Sequence, residues 1–421
     1  MTDPYKIPKL RWPVDLEVQE IEGEHVLIIR DPLGISPSPL VLKAPIAPVI
    51  ALFDGNNSAE AILQRFTPQG LTQSLLDEII TILEAHLLME SPAFAKAASD
   101  IKQNFATASV RAAANLAPVW GTKPQELSKL VDGFMANDSS VTAQKPTLST
   151  TNMLGLIAPH IDYQRGGISY GLTYRHLANQ NHTTYILFGI AHQYSPGLFH
   201  LTKKHFETPL GLVETDIDFV TQLATKFGNK RSFEDEFLHK QEHSLELQLP
   251  FLLRSKPSTN GNLNSKIIPF LVGSFHEMLA KEKEPSDLEE YQSFIGALTE
   301  TTRQALNNGS RICILAGVDM AHIGQAFGDT GKLTDEFLQK IATRDRTYLD
   351  CIHAQDKSTL FHHMAEDQNA RRVCGFPSLY TMIDLMDRLG WRYNAQEFDY
   401  RQAVDRSTDC AVTFAGVGLY E

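Results

Sequence analysis

LGLIAPH (Leu154–His160), YILFGIAH (Tyr185–His192) and CILAGVDMAH (Cys313–His322) are three apolar runs that each finish on a histidine, the last delivering Asp319 before His322. Runs rich in Ile and Leu that stop at Gly or Pro read as strands covered on both faces, and open α/β sheets bind ligands beyond the carboxyl ends of such strands. Three histidines and an aspartate are therefore aimed at one rim. Imidazole ligates Fe, Cu, Zn and Ni and moves protons near neutral pH, so the cluster points to a metal site or to acid–base chemistry.

Around these runs, strands expected at 153–160, 183–191, 266–273, 311–319, 391–399 and 409–418 alternate with helices near 215–228, 240–253, 286–307, 332–352 and 376–389. Alternation of this kind gives an α/β domain with a mainly parallel or mixed central sheet and helices on both faces. Residues 14–92 follow a different pattern. LEVQEIEGEHVLIIRDPLG (16–34) reads as short strands with turns at EGE and DPLG, followed by two amphipathic helices N-capped by Ser58 and Thr72. A small α+β, winged-helix-like domain is expected over 1–95 and the large domain over 96–421, joined by an alanine-rich connector at about 93–115. The Ser/Thr-rich segment 137–150 reads as an exposed loop.

The 421 residues carry a net charge of −12 and no clustered basic surface, which argues against nucleic-acid binding. Neither a signal peptide nor an apolar run of about 20 residues is present, so no membrane is implied and the expected location is cytoplasmic. Four separated cysteines without a CxxC pair indicate no disulfide framework or zinc knuckle. No GxGxxG or GxxxxGK[ST] loop occurs, which argues against nucleotide cofactors bound in the usual ways.

In APHIDYQRGG, Asp162 and Arg165 bring opposite charges beside His160, and Gly166-Gly167 is read as permitting close approach of backbone to ligand. His192 repeats the strand-end geometry in FGIAHQYSPG. Asp319 and His322 sit three apart, so the carboxylate can orient the imidazole or accept a proton. In EHSLELQLPF helical spacing puts His243 and Glu246 on one face, in a supporting or proton-transfer role. Cys374, at a helix entry beside Arg371 and Arg372, is expected to ionise readily, as metal binding or nucleophilic attack requires. Cys313, Cys351 and Cys410 read as small apolar residues, and His353, His362 and His363 as solvent-facing.

The stretch LFDGNNSAEAILQRF with the following helix ending in LLMES resembles the PqqD family of small peptide-recognition modules. The ordered set RAAANLAPVWGTKPQEL, APHIDYQRGG, FGIAHQYSPG, FETPLGLVETD, KQEHSLELQLPF, GVDMAHIG and RRVCGFPSLYTMI resembles the Memo family, called AmmeMemoRadiSam system protein B in microbes, over about 105–421. That resemblance implies a fold like the class III extradiol dioxygenases and one redox metal, Fe(II) or Cu rather than zinc, held by His160, His192 and Cys374. It places His243, Asp319 and His322 around the metal as candidate catalytic groups, and it implies a radical-SAM protein and a peptide or protein substrate as partners. Family members often have a small and an aromatic residue where Asp162 and Arg165 stand here, which implies a changed pocket mouth; Trp120 is retained. The leading expectation is a mononuclear redox or oxygenase-like enzyme. The alternatives are a peptide-binding module without catalysis and a zinc hydrolase.

Overall fold

The computed structural model describes residues 8–137, 152–256 and 263–421, so the amino-terminal segment 1–7 and nearly all of the loop expected at 137–150 lie outside the described residues. The chain divides into two compact units, Met1–Ala108 and Ser109–Glu421.

In the first unit, strands β1 (Asp15–Ile21), β2 (Glu24–Arg30) and β3 (Leu40–Lys43) form an antiparallel sheet in that order, with Gly23 at φ +83° in the first turn. The helices Ala59–Phe66 and Gln73–Ala85 are capped as the sequence indicates, Ser58 accepting from the Ala61 amide and Thr72 from the Leu75 amide. Their buried residues Ile62, Leu76, Ile79 and Leu83 pack with Leu27 and Ile29 of β2. The alanine-rich stretch is the helix Pro92–Thr107, N-capped by Ser91.

The second unit begins with β4 (Val110–Arg111) and is built on an eight-stranded mixed sheet. Its core strands are β5 (Met153–Ala158) and β6 (Thr184–Ile190), followed in sequence by the short β7 (Phe199–Leu201), β8 (His205–Thr208) and β9 (Gly211–Val213). Next come β10 (Lys266–Val272), β11 (Ile312–Gly317), β12 (His322–Gly324), β13 (Asn394–Asp405) and β14 (Cys410–Tyr420). The order is β12-β14-β5-β11-β6-β10-β7, with β13 paired to β14 and a separate small sheet β4-β8-β9. Strands β5, β11, β6 and β10 run parallel, and β14 and β7 flank them antiparallel. Every residue of β5, β6 and β11 is buried, as a sheet sandwiched by helices demands. One face packs on the helices Ile217–Phe227, Glu289–Asn307 and Phe376–Leu389 through Phe219, Phe294 and Tyr380; the other packs on Pro124–Met135, Tyr163–Tyr174 and Leu249–Ser255 through Val131, Tyr170 and Phe251.

The principal strands and helices stand where hydrophobic periodicity puts them, with three differences. The helix expected over 240–253 is broken into His243–Glu246 and Leu249–Ser255, with Pro250 in the first turn of the second piece. The strand expected to end at 399 continues to Asp405, because β13 pairs along the whole of β14. Gly166 and Gly167 do not line a ligand: a Cβ on Gly166 would lie 2.5 Å from Ile161, and one on Gly167 would lie 2.3 Å from the Phe134 ring, so both serve packing.

Candidate metal centre

Because β11 lies between β5 and β6, the carboxyl ends of these three strands form one edge, where the chain order reverses. There β5 hands over to Pro159-His160, β6 to Ala191-His192 and β11 to Val318-Asp319. The His160 ring meets His192 edge-on at 5.0 Å between centroids and His243 at 5.1 Å, while His192 and His243 stack at 4.7 Å. One donor atom each from His160, His192 and Cys374 lie within 4.8 Å of one another.

The ring nitrogens are sorted by what backs them. His160 Nδ1 sits 3.0 Å from the Gly317 carbonyl, which can only accept, so Nδ1 carries hydrogen and Nε2 is left facing Cys374 Sγ at 3.4 Å. His192 Nδ1 is 3.0 Å from both oxygens of Glu242, which leaves Nε2 as the nitrogen that could ligate a metal. A second trio, His192, Glu242 and His243, also clusters within 4.8 Å. The same Glu242 carboxylate is bonded to His192 Nδ1 and lies 3.3 Å from His243 Nδ1, so it orients both rings.

Charge follows this arrangement. Burial pushes the Cys374 thiol up, but the imidazoles of His160 and His322 outweigh it and hold the thiol at about 5. Burial disfavours a charged His160, yet the Cys374 thiolate and Asp319 raise it to about 9. A charge on either partner thus favours the opposite charge on the other. Burial also opposes charge on Glu242, but His192 draws its carboxyl well below the usual range. Burial lowers His243 to about 4, so this ring is neutral.

The other expected residues surround the same space. Asp319 Oδ1 accepts from the His160 amide at 2.9 Å and Oδ2 lies 3.7 Å from His160 Nε2, so its partner is His160 and not His322. His322 Nδ1 faces the Arg372 carbonyl at 3.0 Å, leaving Nε2 without that constraint. His160, His192, His243, Asp319 and His322 line a cavity of about 540 Å³, walled by Trp120, Leu247 and Phe327, with Asp162 and Arg165 paired at 2.6 Å on its border.

Four expectations are corrected. Glu246 does not share a face with His243 at the site: it is fully buried and paired with the equally buried Arg111, accepting from the Leu116 amide at 2.8 Å. Arg371 and Arg372 do not activate Cys374, being bonded to Asp367 and Asp329 at 2.7 Å; the nearby imidazoles do so instead. His363 is buried, 3.2 Å from Arg371, where a solvent-facing residue was expected. His353 is partly buried.

Two functional residues escaped sequence reasoning. Glu242 stands next to His243 in the quoted motif, and a carboxylate adjoining a histidine at a helix start was the available signal. Arg111 donates to the carbonyls of His239 at 2.9 Å and Glu242 at 2.8 Å, and so fixes the segment that carries Glu242 and His243. Nothing in its local sequence announces this, since its partners lie about 130 residues away.

The family model described as Memo-like protein matches residues 111–418, and the chain belongs to that family. A MEMO1 family protein of Aquifex aeolicus is 23% identical over 396 residues, covering 93% of this chain and 96% of its own length, so the likeness extends through the first unit. MEMO1 family proteins of Methanosarcina mazei and Desulfurococcus amylolyticus are 26% and 24% identical, covering 56% and 71% of this chain and 74% and 94% of their own lengths.

Proposed function

We propose that this chain is a metal-dependent redox protein of oxygenase-like type, with one Fe(II) or Cu held by His160 Nε2, His192 Nε2 and Cys374 Sγ. The convergence of two imidazoles and a thiol within 4.8 Å, with both histidines lining the cavity, supports this reading. Two nitrogens and a thiolate form a soft donor set suited to Cu(I) and Fe(II), and the bound ion would supply one-electron or O₂ chemistry at positions open to the cavity. The chain's own groups manage protons there. Neutral His243, with Nδ1 directed at Glu242, offers Nε2 as an acceptor, and His322 Nε2 offers another. Asp319 holds His160 in place through the backbone.

The test is metal content with electron paramagnetic resonance on anaerobically purified protein. About one iron or copper per chain in the wild type, lost in His160→Ala and in Cys374→Ser, is the expected result. Wild type that takes up none of Fe(II), Cu(I) or Zn²⁺ would sink the proposal.

A second reading rests on the first unit, where an apolar groove of about 380 Å³ adjoins the end of the edge strand β3, lined by Leu42, Ile46, Val49, Phe66, Ile79 and Ile82. An unpaired strand edge beside an apolar groove suits an extended peptide. This favours a PqqD-like recognition role for a winged-helix-like unit, with a peptide or protein substrate and a radical-SAM partner in the cytoplasm. Among the described residues no helix is long and apolar enough to cross a membrane. Capture of such a substrate by metal-free protein, with Leu75→Asp at an exposed position of the groove abolishing it, is the expected outcome.

A further inference from the structure

The amino ends of β5, β6 and β11 carry a second cavity, of about 630 Å³. It lies one strand length from the histidine cluster, about 20 Å at roughly 3.3 Å per residue. Leu154, Leu306 and Ile312 give it an apolar base, Trp391 an aromatic ring, and Arg311 and Arg392 two guanidinium groups. His182 also lines it, is only 6% exposed, and has the Met153 backbone beside its ring. Burial lowers this ring to about 4, and the neutral imidazole has one donor and one acceptor.

Arg311 is braced from behind, with Nε donating to the Asn181 carbonyl and Nη2 to Asn181 Oδ1 at 3.3 Å. Arg392 is braced by Asp387 at 2.7 Å. The one carboxylate in the lining, Glu421, lies 3.4 Å from Asn152 Nδ2. With Arg392 paired to Asp387 and Glu421 facing the same space, Arg311, bonded to the neutral Asn181, is the cation that can meet an anion there.

We propose that this cavity binds a mononucleotide. The planar base has a π-face for Trp391 and an edge of donors and acceptors for His182, and the phosphate matches the guanidinium forks. The volume falls in the range of small-molecule sites. No glycine-rich loop is needed, because side chains rather than backbone amides take the phosphate.

The experiment is calorimetric titration of the full chain with AMP, GMP, CMP and UMP, with adenosine and inorganic phosphate as partial probes. Saturable binding of at least one mononucleotide is expected, with the partial probes at least about tenfold weaker. His182→Phe, Arg311→Gln and Arg392→Gln should each weaken it about tenfold or more without changing the melting temperature appreciably, while His160→Ala leaves it unaltered. Arg392→Gln touches only the surface pair with Asp387, so it remains informative should His182→Phe misfold. Failure of all four mononucleotides overturns the proposal, as does indifference to both arginine variants. Phosphate alone binding as tightly, or loss of binding in His160→Ala, overturns it equally.

Discussion

Glu242 carries more of the site than its position in the sequence indicates. Its two oxygens reach His192 Nδ1, one lies 3.3 Å from His243 Nδ1, and the same carboxylate accepts the Ser244 amide at 2.8 Å. Glu242→Gln keeps the shape but removes the charge and one acceptor oxygen. Metal affinity is expected to fall about 10- to 100-fold in a competition titration with a chelator, while the fold is retained. Arg111 and Glu246 behave differently, because both are sealed from water. Arg111→Met leaves an uncompensated buried carboxylate and should cost about 3–5 kcal/mol in urea unfolding, with metal affinity falling as Glu242 loses its brace. The histidines were legible because an apolar run that ends on a polar residue marks a strand end. The pairings were not, since Asp319 serves His160 and Glu246 serves Arg111 by contacts 159 and 135 residues apart.

At the scale of elements, the strands of the parallel core were readable within one or two residues, because continuous burial writes continuous apolar sequence. The three-residue strands β7, β9 and β12 hold too few residues to show a period. The helix Tyr163–Tyr174 is unusual in its glycines, which the sequence invites one to read as a ligand approach. For Gly167 and Gly171 the cause is the neighbouring helix Pro124–Met135: a Cβ on Gly171 would stand 2.2 Å from the Phe134 carbonyl oxygen and 2.7 Å from the Met135 amide nitrogen. Backbone atoms cannot swing aside as a side chain can. Gly171→Ala should therefore destabilise by about 1–3 kcal/mol, or more, read as a lower urea midpoint. The bland alternative, that an alanine stabilises a helix, predicts the opposite sign.

For the whole molecule, buried histidines set the response to acid. Burial lowers His200 to about 4 and His239 to about 3. In the unfolded chain such rings take up a proton near pH 6.5. Between that pH and their folded values the unfolded state binds more protons, so stability present at neutral pH is lost as pH falls from about 6.5 toward 4. The urea midpoint at pH 5 should lie clearly below that at pH 7, and His239→Gln should flatten the slope. A flat profile in the wild type over this interval would contradict the buried, neutral assignment. The alternation of strands and helices made the fold class legible at this scale, whereas the strand order was not, because sequence gives neighbours along the chain and not across the sheet.

That order has a consequence for biosynthesis. Strand β5 lies between β11 and β14, so the strand leading to His160 acquires no lateral partner until about 150 further residues have left the ribosome. Through that interval a fully apolar strand has both edges bare. Chains interrupted before residue 312 are therefore sticky by construction, and the three candidate ligands come together only after Cys374 has been made.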